Sequence, residues 1–338
     1  MTRSPTGATR AVRLATFNLE NLSDAPDAEA PLEARIRILR PQLERLDADI
    51  LCLQEVGAER DGKGEPRRFR ALDALLRGTR YAGYGRAHSV LPDGRGPLDV
   101  HNLVILSRYP VVAHRQYWQD LIDPPVYRLR TAEPESEAPG AVPWDRPALH
   151  AEIDIAPGRT LHVFNLHLRA PLAAFVPGQK AGPFAWKSVP GWAEGFFLAA
   201  MKRNGQALEV RFAIDALFDA DPDAWIALCG DMNAELNEMP LRILRGDEED
   251  TGNGALANRV LIPLERAAPD SRRYSVLHGG RPVMLDHLLV SRPMMRGFRE
   301  VEIHNEALGD ELVAYATVAH SPESYHAPLV ARFDIGDG

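Results

Sequence analysis

Several apolar runs in the sequence end in polar side chains that are capable of catalysis. These runs cover residues 15–22, 50–56, 163–168, 228–234, 285–287 and 324–328. The side chains at their ends are Asn18, Glu55, His167, Asp231, Asn233, Asp286 and His326. Carboxylate and amide oxygens suit Mg²⁺, and a carboxylate beside an imidazole fixes its tautomer and raises its pKa. Such a set can bind a divalent cation and move protons.

Each of these residues also has an ordinary structural explanation. Asn18 can cap a turn, Glu55 can be a surface acid, and Asp231 with Asn233 can supply turn chemistry after a strand. His167 can be a hydrogen-bonded core histidine. The joint occurrence of the motifs favours the functional interpretation. In α/β enzymes the functional groups collect at strand ends along one edge of a sheet.

The elements that must position these residues are short strands alternating with helices. Apolar residues at spacings of three and four predict a helix from Leu32 to Leu46, which Pro41 should kink or divide. Residues 49–54 are apolar on both faces, as in a strand that is covered on both sides. The pattern predicts further helices near 69–76 and 207–218. It predicts further strands at 13–19, 102–107, 149–155, 160–168, 224–229, 284–291 and 328–335.

Two stretches have the character of insertions. Residues 116–146 are rich in proline and glutamate, which predicts a surface excursion that is partly disordered. Residues 170–205 hold aromatic residues among prolines and glycines, a pattern too irregular for one helix. The second stretch can be a substrate-selecting lid or a satellite core under a long loop.

The composition limits the classes of function. The chain has 338 residues and a formal net charge of −8, which argues against charge-driven coating of nucleic acid. Cys52 and Cys229 are too few for a disulfide framework or a cysteine-based zinc site. No apolar run is long enough for a membrane span and no signal peptide is visible. We therefore expect a cytoplasmic protein without a membrane span.

In this order, the motifs resemble those of the endonuclease/exonuclease/phosphatase family. The matching pieces are Phe17-Asn18-Leu-Glu-Asn, Leu53-Gln-Glu55, Ile105-Leu-Ser-Arg-Tyr-Pro110, Asn165-Leu-His167-Leu, Gly230-Asp-Met-Asn233, Asp286-His-Leu-Leu-Val and His326-Ala-Pro-Leu. They lie between about residues 12 and 335, so the resemblance implies a single domain over residues 1–338. The implied fold is α+β, a four-layered α/β-β/α sandwich of two packed, mostly antiparallel β-sheets flanked by helices.

The resemblance implies a metal-dependent phosphoesterase that uses an activated water for in-line attack. Glu55 and Asn18 match the family's metal site, which implies Mg²⁺ as the cofactor, with Mn²⁺ as the alternative. Asp231 matches the general base for the attacking water. Asn233 matches the residue that positions water or phosphate, and Asn18 also belongs to the substrate-binding set.

Two histidines complete the implied catalytic set. His326 matches the histidine that donates to a phosphate oxygen, and Asp286 matches the acid that orients it. His167 matches a second histidine that assists the leaving group or binds phosphate. Two neighbours of the motifs are not assigned to the site. We expect His287 to be structural and His101 to lie at the surface.

One departure from the family pattern affects the expected activity. The family usually ends in Ser-Asp-His, whereas this chain has Ser324-Tyr325-His326. The missing aspartate would contact the metal or its water, and tyrosine is neutral at pH 7, so metal affinity should fall. The alternative function is therefore a pseudoenzyme that binds phosphate ligands without turnover.

The substrate class stays open because the resemblance implies the chemistry and leaves open the group attached to phosphorus. The candidates are nucleic acid, a nucleotide, or a small phosphodiester or phosphomonoester. A nuclease is the first choice by family frequency, and the acidic composition weakens it. The sequence does not predict an oligomeric state.

Overall fold

The computed structural model describes residues 10–26, 28, 30–62, 64–183, 185–246, 254–313 and 321–335. The strands are β1 (Arg10–Leu22), β2 (Ile50–Val56), β3 (Gly85–His88), β4 (Asn102–Ser107), β5 (Val111–Tyr117), β6 (Val126–Tyr127), β7 (Gly140–Ala141), β8 (Ala148–Ala156), β9 (Arg159–His167), β10 (Trp225–Asp231), β11 (Ile262–Pro263), β12 (Val276–His278), β13 (Arg281–Val283), β14 (Asp286–Val290), β15 (Phe298–Ile303) and β16 (Leu329–Ile335). The α-helices are α1 (Leu32–Leu46), α2 (Arg70–Leu76), α3 (Val189–Ala220), α4 (Met239–Arg245) and α5 (Arg292–Met295).

Most strands belong to two six-stranded sheets. The first sheet has the order β15-β16-β1-β2-β4-β3, and the second has the order β11-β14-β10-β9-β8-β5. In the first sheet β1 and β2 are parallel, in the second β9 and β10 are parallel, and the other pairings are antiparallel. Two short hairpins, β6–β7 and β12–β13, stand apart from these sheets.

Apolar side chains divide the molecule into four layers. One buried cluster joins the inner faces of the two sheets and includes Leu14 and Ile50 from the first sheet with Val163 and Ala227 from the second. A second cluster packs α1 and α2 on the outer face of the first sheet. A third packs α3 and α4 on the outer face of the second sheet. The predicted four-layered sandwich of mostly antiparallel sheets is confirmed.

The strand pairings bring the sequence motifs together. Because β1 and β2 are parallel, their carboxyl ends meet at one edge, with Asn18 opposite Gln54. The parallel pair β9–β10 likewise places His167 opposite Asp231. Strand β14 begins where β10 ends, so Asp286 also lies opposite Asp231.

A buried polar link joins the two sheets beside these strand ends. The Asn165 amide on β9 donates to the backbone carbonyls of Leu53 on β2 and Val104 on β4, both at 3.0 Å. The Gln54 amide donates to Asn165 Oδ1 at 2.6 Å and to Thr16 Oγ1 at 3.0 Å. Since a buried amide must be hydrogen-bonded, this link holds the sheets in one register.

The structure narrows one expectation about the helices and contradicts another. Helix α1 runs through Pro41 as one assigned helix of 15 residues, so the proline does not divide it. Helix α3 begins at Val189 and has 32 residues, so it includes the last part of the stretch expected to be irregular. The side chain of Ser188 accepts from Gly191 N and caps the helix.

The glycines that made this helix unexpected are places of close packing. A Cβ on Gly195 would lie 2.4 Å from the Ala174 carbonyl oxygen, and one on Gly205 would lie 2.1 Å from the Trp144 ring. Glycine costs helix stability, but here it lets a loop and an indole approach the helix backbone. Tertiary packing therefore outweighs the local propensity.

Hydrogen bonds tie the stretch 116–146 to α3. The expectation of a partly disordered surface excursion did not include these contacts. Glu209 on α3 is fully buried and accepts hydrogen bonds from the backbone N–H groups of residues 119–121 and from Trp144 Nε1. Glu194, one or two turns into α3, accepts from the N–H groups of Arg130 and Thr131. Two buried carboxylates thus supply the acceptors that an isolated loop would lack.

No helix among the described residues has both the length and the apolar character that crossing a membrane requires.

His287 has the structural role that we expected. Both of its ring nitrogens are buried, with Nδ1 2.6 Å from Glu265 Oε1 and Nε2 2.8 Å from the Ala234 carbonyl oxygen. Burial acts to lower the pKa of His287, but the Glu265 carboxylate outweighs it and the pKa is raised. The pair is therefore a buried imidazolium and carboxylate that ties β14 to the segment around Glu265.

Glu265→Gln should lower the free energy of unfolding by about 3 kcal/mol near pH 6, because it leaves a buried imidazole without its counter-charge. A raised pKa means that the stabilisation is complete below the unfolded value of about 6.5 and is lost as pH rises through the folded value. The difference between wild type and variant in urea unfolding should thus shrink at pH 9. Asp73→Asn, which breaks an exposed pair with Arg86, should cost less than about 1 kcal/mol at both pH values. An equal cost of Glu265→Gln at pH 6 and pH 9 would contradict the charged pair.

Candidate active site

All seven residues predicted for the site lie together at one end of the sandwich. The first sheet contributes Asn18 and Glu55, and the second contributes His167 and Asp231. Asn18 Nδ2 donates to Glu55 Oε1 at 3.1 Å and to Asp231 Oδ2 at 3.0 Å. The amide therefore bridges two carboxylates that come from different sheets.

The orientation of Asn18 bears on its predicted role as a metal ligand. Its Oδ1 accepts the N–H of Glu20 at 2.8 Å, so the amide nitrogen is the atom that faces the carboxylates. In this orientation Asn18 is a hydrogen-bond donor, and ligation of a metal by its oxygen would require the amide to turn. The structure thus places Asn18 in the site, while its ligand role stays a prediction.

His326 and Asp286 form the predicted pair. His326 Nδ1 lies 2.7 Å from Asp286 Oδ2, and its Nε2 lies 4.0 Å from Asp231 Oδ2. Burial acts to lower the pKa of His326, but the carboxylates of Asp286 and Asp231 raise it well above its ordinary value. Burial also raises the pKa of Asp231, to about 7. The site therefore holds an imidazolium beside a carboxyl group that titrates near neutral pH.

Asn233 packs closely against Asp231. Its backbone N–H donates to Asp231 Oδ1 at 2.8 Å, and its Nδ2 donates to Asp231 Oδ2 and to the Leu168 carbonyl oxygen, both at 3.1 Å. Asn233 and Glu55 have positive φ angles of 46° and 56°. Backbone strain of this kind clusters at functional sites, where the surroundings hold the side chains in place.

Gly230 explains why the motif before Asp231 needs a glycine. Its φ is 130°, and a Cβ at this position would lie 2.0 Å from the Leu166 carbonyl oxygen. Any side chain would push β10 away from β9. The glycine thus keeps Asp231 opposite His167.

Arg146 is a site residue that the sequence analysis missed, because it lies at the end of the stretch 116–146 and matches no motif. Its Nη1 contacts His167 Nδ1. Since a guanidinium can only donate, Nδ1 must accept, and the proton of the neutral ring is on Nε2. Burial lowers the pKa of His167 well below its usual range, and the Arg146 charge lowers it further.

The neutral His167 ring points its Nε2–H at two acids. This nitrogen lies 3.5 Å from Glu55 Oε1 and 3.5 Å from Asp231 Oδ2. The two site histidines therefore differ in state, His326 being charged and His167 neutral. Burial and the charge of Arg146 together set this difference, and both depend on the tertiary structure, which is why no local pattern predicted it.

His101 also reaches the site, although 34% of its side chain stays exposed, so the expected surface position is only part of its placement. Its Nδ1 is buried and lies 3.8 Å from Glu55 Oε2, and its ring centroid lies 5.8 Å from that of His167. Its φ of 58° turns the side chain inward after a loop. The sequence signal for this placement was Asn102, a polar residue that follows His101 and opens an apolar strand. In the structure Asn102 is buried and donates to the Val56 carbonyl at 2.9 Å.

Two groups of side chains at this end could hold a metal ion. The ligand atoms of Glu55, His101 and His167 lie within 4.8 Å of one another, and so do those of Asp231, Asp286 and His326. Asp286 Oδ1 and His101 Nδ1 are buried and have no hydrogen-bond partner among the described residues. The donor set fits a divalent cation, because Glu55 offers carboxylate oxygens and two buried polar atoms still need a partner.

Tyr325 stands where the resemblance led us to expect an aspartate. Its side chain is buried, and its backbone N–H donates to Glu20 Oε2 at 2.6 Å. Ser324 keeps its place, since its hydroxyl donates to the Asn18 carbonyl and accepts from His326 N. The segment 324–326 is thus docked on β1 without the carboxylate.

A cleft of about 500 Å³ opens from the site on the side of the first sheet. Glu55 and His101 line its inner end, and three arginines line its walls, Arg60, Arg67 and Arg70. Two of these are already paired with acids, Arg67 with Asp99 and Arg70 with Asp61. The lining also holds the acids Glu55, Glu59 and Asp99, so the cleft is polar and its three arginines are balanced by three carboxylates.

Comparisons with known proteins agree with the four-layered fold. The model of the endonuclease/exonuclease/phosphatase family matches residues 15–317. A family protein from Bacteroides thetaiotaomicron has a TM-score of 0.59 at 15% identity over 98% of this chain and 97% of that chain. Truncated TDP2 from Caenorhabditis elegans has a TM-score of 0.54 at 16% identity over 96% and 98%. A mannosyl-6-phosphatase from Bacteroides thetaiotaomicron has 0.55 at 15% over 95% and 98%. A comparison with curated proteins gives no match.

Arg146→Met should change the protonation of His167, because it removes the donor to Nδ1 and the charge that disfavours the imidazolium. We expect the ¹⁵N chemical shifts of the ring to report the Nε2–H tautomer in the wild type and mixed tautomers in the variant. The pKa of His167 should also rise. Arg203→Met is the matched control, since Arg203 donates to the Asn233 carbonyl at 2.9 Å and, in the part of the chain that the structure describes, has no hydrogen bond to His167. Identical ring shifts in wild type and Arg146→Met would contradict the assignment.

Proposed function

The chain belongs to the endonuclease/exonuclease/phosphatase family, and we propose that it is a divalent-metal-dependent hydrolase that cleaves a phosphodiester or phosphomonoester with an activated water. Members of the family are hydrolases of phosphoester bonds and depend on divalent metals. The observation that carries the proposal is the meeting of Glu55 and Asp231 at the bridging Asn18 amide, with His167 Nε2 3.5 Å from both carboxylates.

Asp231 is the proposed base for the attacking water. A base works best when its pKa lies near the working pH, and burial raises the pKa of Asp231 to about 7. Hydrogen bonds from Asn18 and Asn233 hold its two oxygens. The carboxylate is therefore fixed in place and ready to take a proton at neutral pH.

Positive charge for the phosphoryl oxygens comes from His326 and Arg146. Charge on these oxygens spreads in the transition state, and fixed donors stabilise it. His326 offers Nε2–H, while Asp286 holds its other nitrogen at 2.7 Å. Arg146 donates to His167 and lies close enough to Glu55 and Asp231 to interact with their charges.

His167 is proposed to hydrogen-bond the substrate through Nε2–H. In the neutral tautomer set by Arg146 it donates without carrying charge, so it can hold a phosphate oxygen or the departing oxygen. The role predicted for His167 from the sequence was to assist the leaving group or bind phosphate, and the neutral tautomer narrows it to that of an uncharged donor. The imidazolium of the site is His326.

Glu55 is the proposed metal ligand, with the imidazole of His101 and the carboxylate of Asp286 as further donors at the same end, since His101 Nδ1 and Asp286 Oδ1 have no hydrogen-bond partner among the described residues. When bound, a divalent cation such as Mg²⁺ or Mn²⁺ neutralises charge on a phosphoryl oxygen as a Lewis acid. The loss of the family aspartate at Tyr325 removes one acidic group. We therefore propose a weaker metal site than the usual family pattern provides.

The substrate is proposed to be a small phosphodiester or phosphomonoester. The net charge of −8 and the pairing of the cleft arginines with acids disfavour a long polyanion that is held mainly by charge. A nuclease is the second candidate, favoured by the three arginines in the cleft beside Glu55. A cytoplasmic location fits the two buried free cysteines.

Glu55→Ala should reduce turnover of bis(4-nitrophenyl) phosphate and 4-nitrophenyl phosphate by about 100-fold or more, because a metal ligand is lost. Wild-type turnover should need Mg²⁺ or Mn²⁺ and stop with EDTA. Asp99→Asn is the matched control, since Asp99 lines the same cleft and belongs to neither metal-binding group. Its activity should stay within about threefold of the wild type.

The same assay tests the phosphate-binding pseudoenzyme that Tyr325 suggests. If neither metal supports turnover of either ester while phosphate still raises the melting temperature, the pseudoenzyme is favoured and the hydrolase is refuted. Full activity in Glu55→Ala would refute the metal role. Tyr325→Asp should lower the metal concentration needed for half-maximal activity if the missing carboxylate weakens the site.

A further inference from the structure

A second cavity lies between the two inserted stretches. It has a volume of about 420 Å³, within the range of small-molecule sites. We call it the insertion pocket and define it by the lining residues Tyr127, Leu129, Val142, Phe175, Leu198, Asp145, Arg169 and Lys202. Aliphatic and aromatic side chains form most of this lining, and the last three residues form a charged end.

The walls of the insertion pocket are held together before any ligand binds. A satellite core joins residues of both stretches, including Val142, Ala174 and Leu198. Tyr127 donates to the buried Glu194 at 3.0 Å, so the hairpin β6–β7 is tied to α3. The pocket is thus preformed, which lowers the entropic cost of binding.

The charged end of the pocket adjoins the catalytic residues. Asp145 directly precedes Arg146, which contacts His167. Arg169 directly follows Leu168, whose carbonyl accepts from Asn233. These two neighbours place one end of the insertion pocket beside the proposed reaction centre.

The third charged residue is also the sequence neighbour of a residue that contacts the site. Lys202 directly precedes Arg203, whose guanidinium donates to the Asn233 carbonyl at 2.9 Å. Thus all three charged residues of the pocket are chain neighbours of residues that contact His167 or Asn233.

The charged end carries a net positive charge. Both cations pair with the single carboxylate, Arg169 with Asp145 Oδ2 and Lys202 with Asp145 Oδ1. Two cations against one acid leave one positive charge at the end of the pocket whose residues adjoin Arg146, Leu168 and Arg203. The rest of the lining is mainly apolar, with Ser136 and the Tyr127 hydroxyl as its polar side-chain groups. The pocket therefore matches a molecule that is anionic at one end and apolar along the rest.

We propose that the insertion pocket binds an apolar arm of the substrate, so that the preferred substrates are phosphoesters that carry an aliphatic or aromatic group. The proposal rests on the proposed phosphoesterase function, since the reacting phosphate sits at the charged end. The apolar arm then lies against Leu129, Val142 and Phe175. Burial of each methylene favours such a substrate over a polar one.

Binding can be measured without turnover. Titration calorimetry with hexylphosphonate and methylphosphonate, below the concentration at which the longer one aggregates, should show at least tenfold tighter binding of hexylphosphonate. Ala141→Trp fills the pocket from an exposed hairpin position and should bring the two dissociation constants within about twofold. Phe175→Ser should reduce the preference in the same direction.

Leu172→Ser is the matched control for Phe175→Ser. Both residues are exposed in the same loop, at 70% and 68%, but only Phe175 lines the pocket. Leu172→Ser should keep the full preference. Equal binding of the two phosphonates by the wild type, or a preference that Ala141→Trp leaves intact, would overturn the proposal.

Hydrolysis separates this inference from the function on which it rests. With 4-nitrophenyl phosphodiesters that carry a methyl or a hexyl group, kcat/KM should be at least tenfold higher for the hexyl ester. Turnover without this preference would overturn the insertion pocket and leave the hydrolase standing. Preferential hexylphosphonate binding without any turnover would support the pocket and refute the hydrolase.

Discussion

The functional end of this molecule depends on one constraint, which is that two apolar sheet faces must pack in a single register. Apolar contacts are not directional, and neighbouring registers of the two faces would bury similar areas. The Asn165 amide removes this freedom, because it reaches from β9 into the first sheet and must satisfy both of its N–H groups there. Gln54 completes the link from the opposite side. Since Glu55 follows Gln54 and His167 lies two residues beyond Asn165, the same link sets the separation of side chains that belong to different sheets.

The electrostatics of the site follow from this convergence. Glu55, Asp231 and Asp286 meet in a buried space, and carboxylates so close together disfavour each other's charge. Two cationic groups lie beside these acids. They are His326, whose pKa all three acids raise, and Arg146, whose guanidinium stays charged although burial lowers its pKa. The two site histidines consequently take opposite states. In the proposed hydrolase, His326 carries charge toward a phosphoryl oxygen, and His167 is a neutral donor whose tautomer depends on a contact from outside the core strands.

The inserted stretches are extensions of the core that are built on α3. Glu194 and Glu209 are buried carboxylates on this helix, and each accepts several N–H groups from loops that have few partners of their own. Close glycine contacts at Gly195 and Gly205 let a loop and Trp144 lie against the helix. This arrangement brings Asp145, Arg169 and Lys202 beside the residues that hold the catalytic groups. The insertion pocket is therefore preformed and lies next to the candidate active site.

The sequence by itself predicted most strands of the two sheets and the seven motif residues, because each motif is a local pattern in which an apolar run ends in a polar side chain. Asn18, Glu55 and Asp231 could be predicted in this way without knowing what they touch. The layered fold followed from the resemblance of these motifs to those of a known family. Only the tertiary structure decided the rest. The inward turn of His101, the contact of Arg146 with His167 and the amide orientation of Asn18 depend on partners 21 to 213 residues away. The continuation of α3 through its glycines was also decided by packing, since local propensity opposed it. Contacts between distant residues leave no periodic or spaced pattern in one sequence, and for that physical reason they could be known only from the fold.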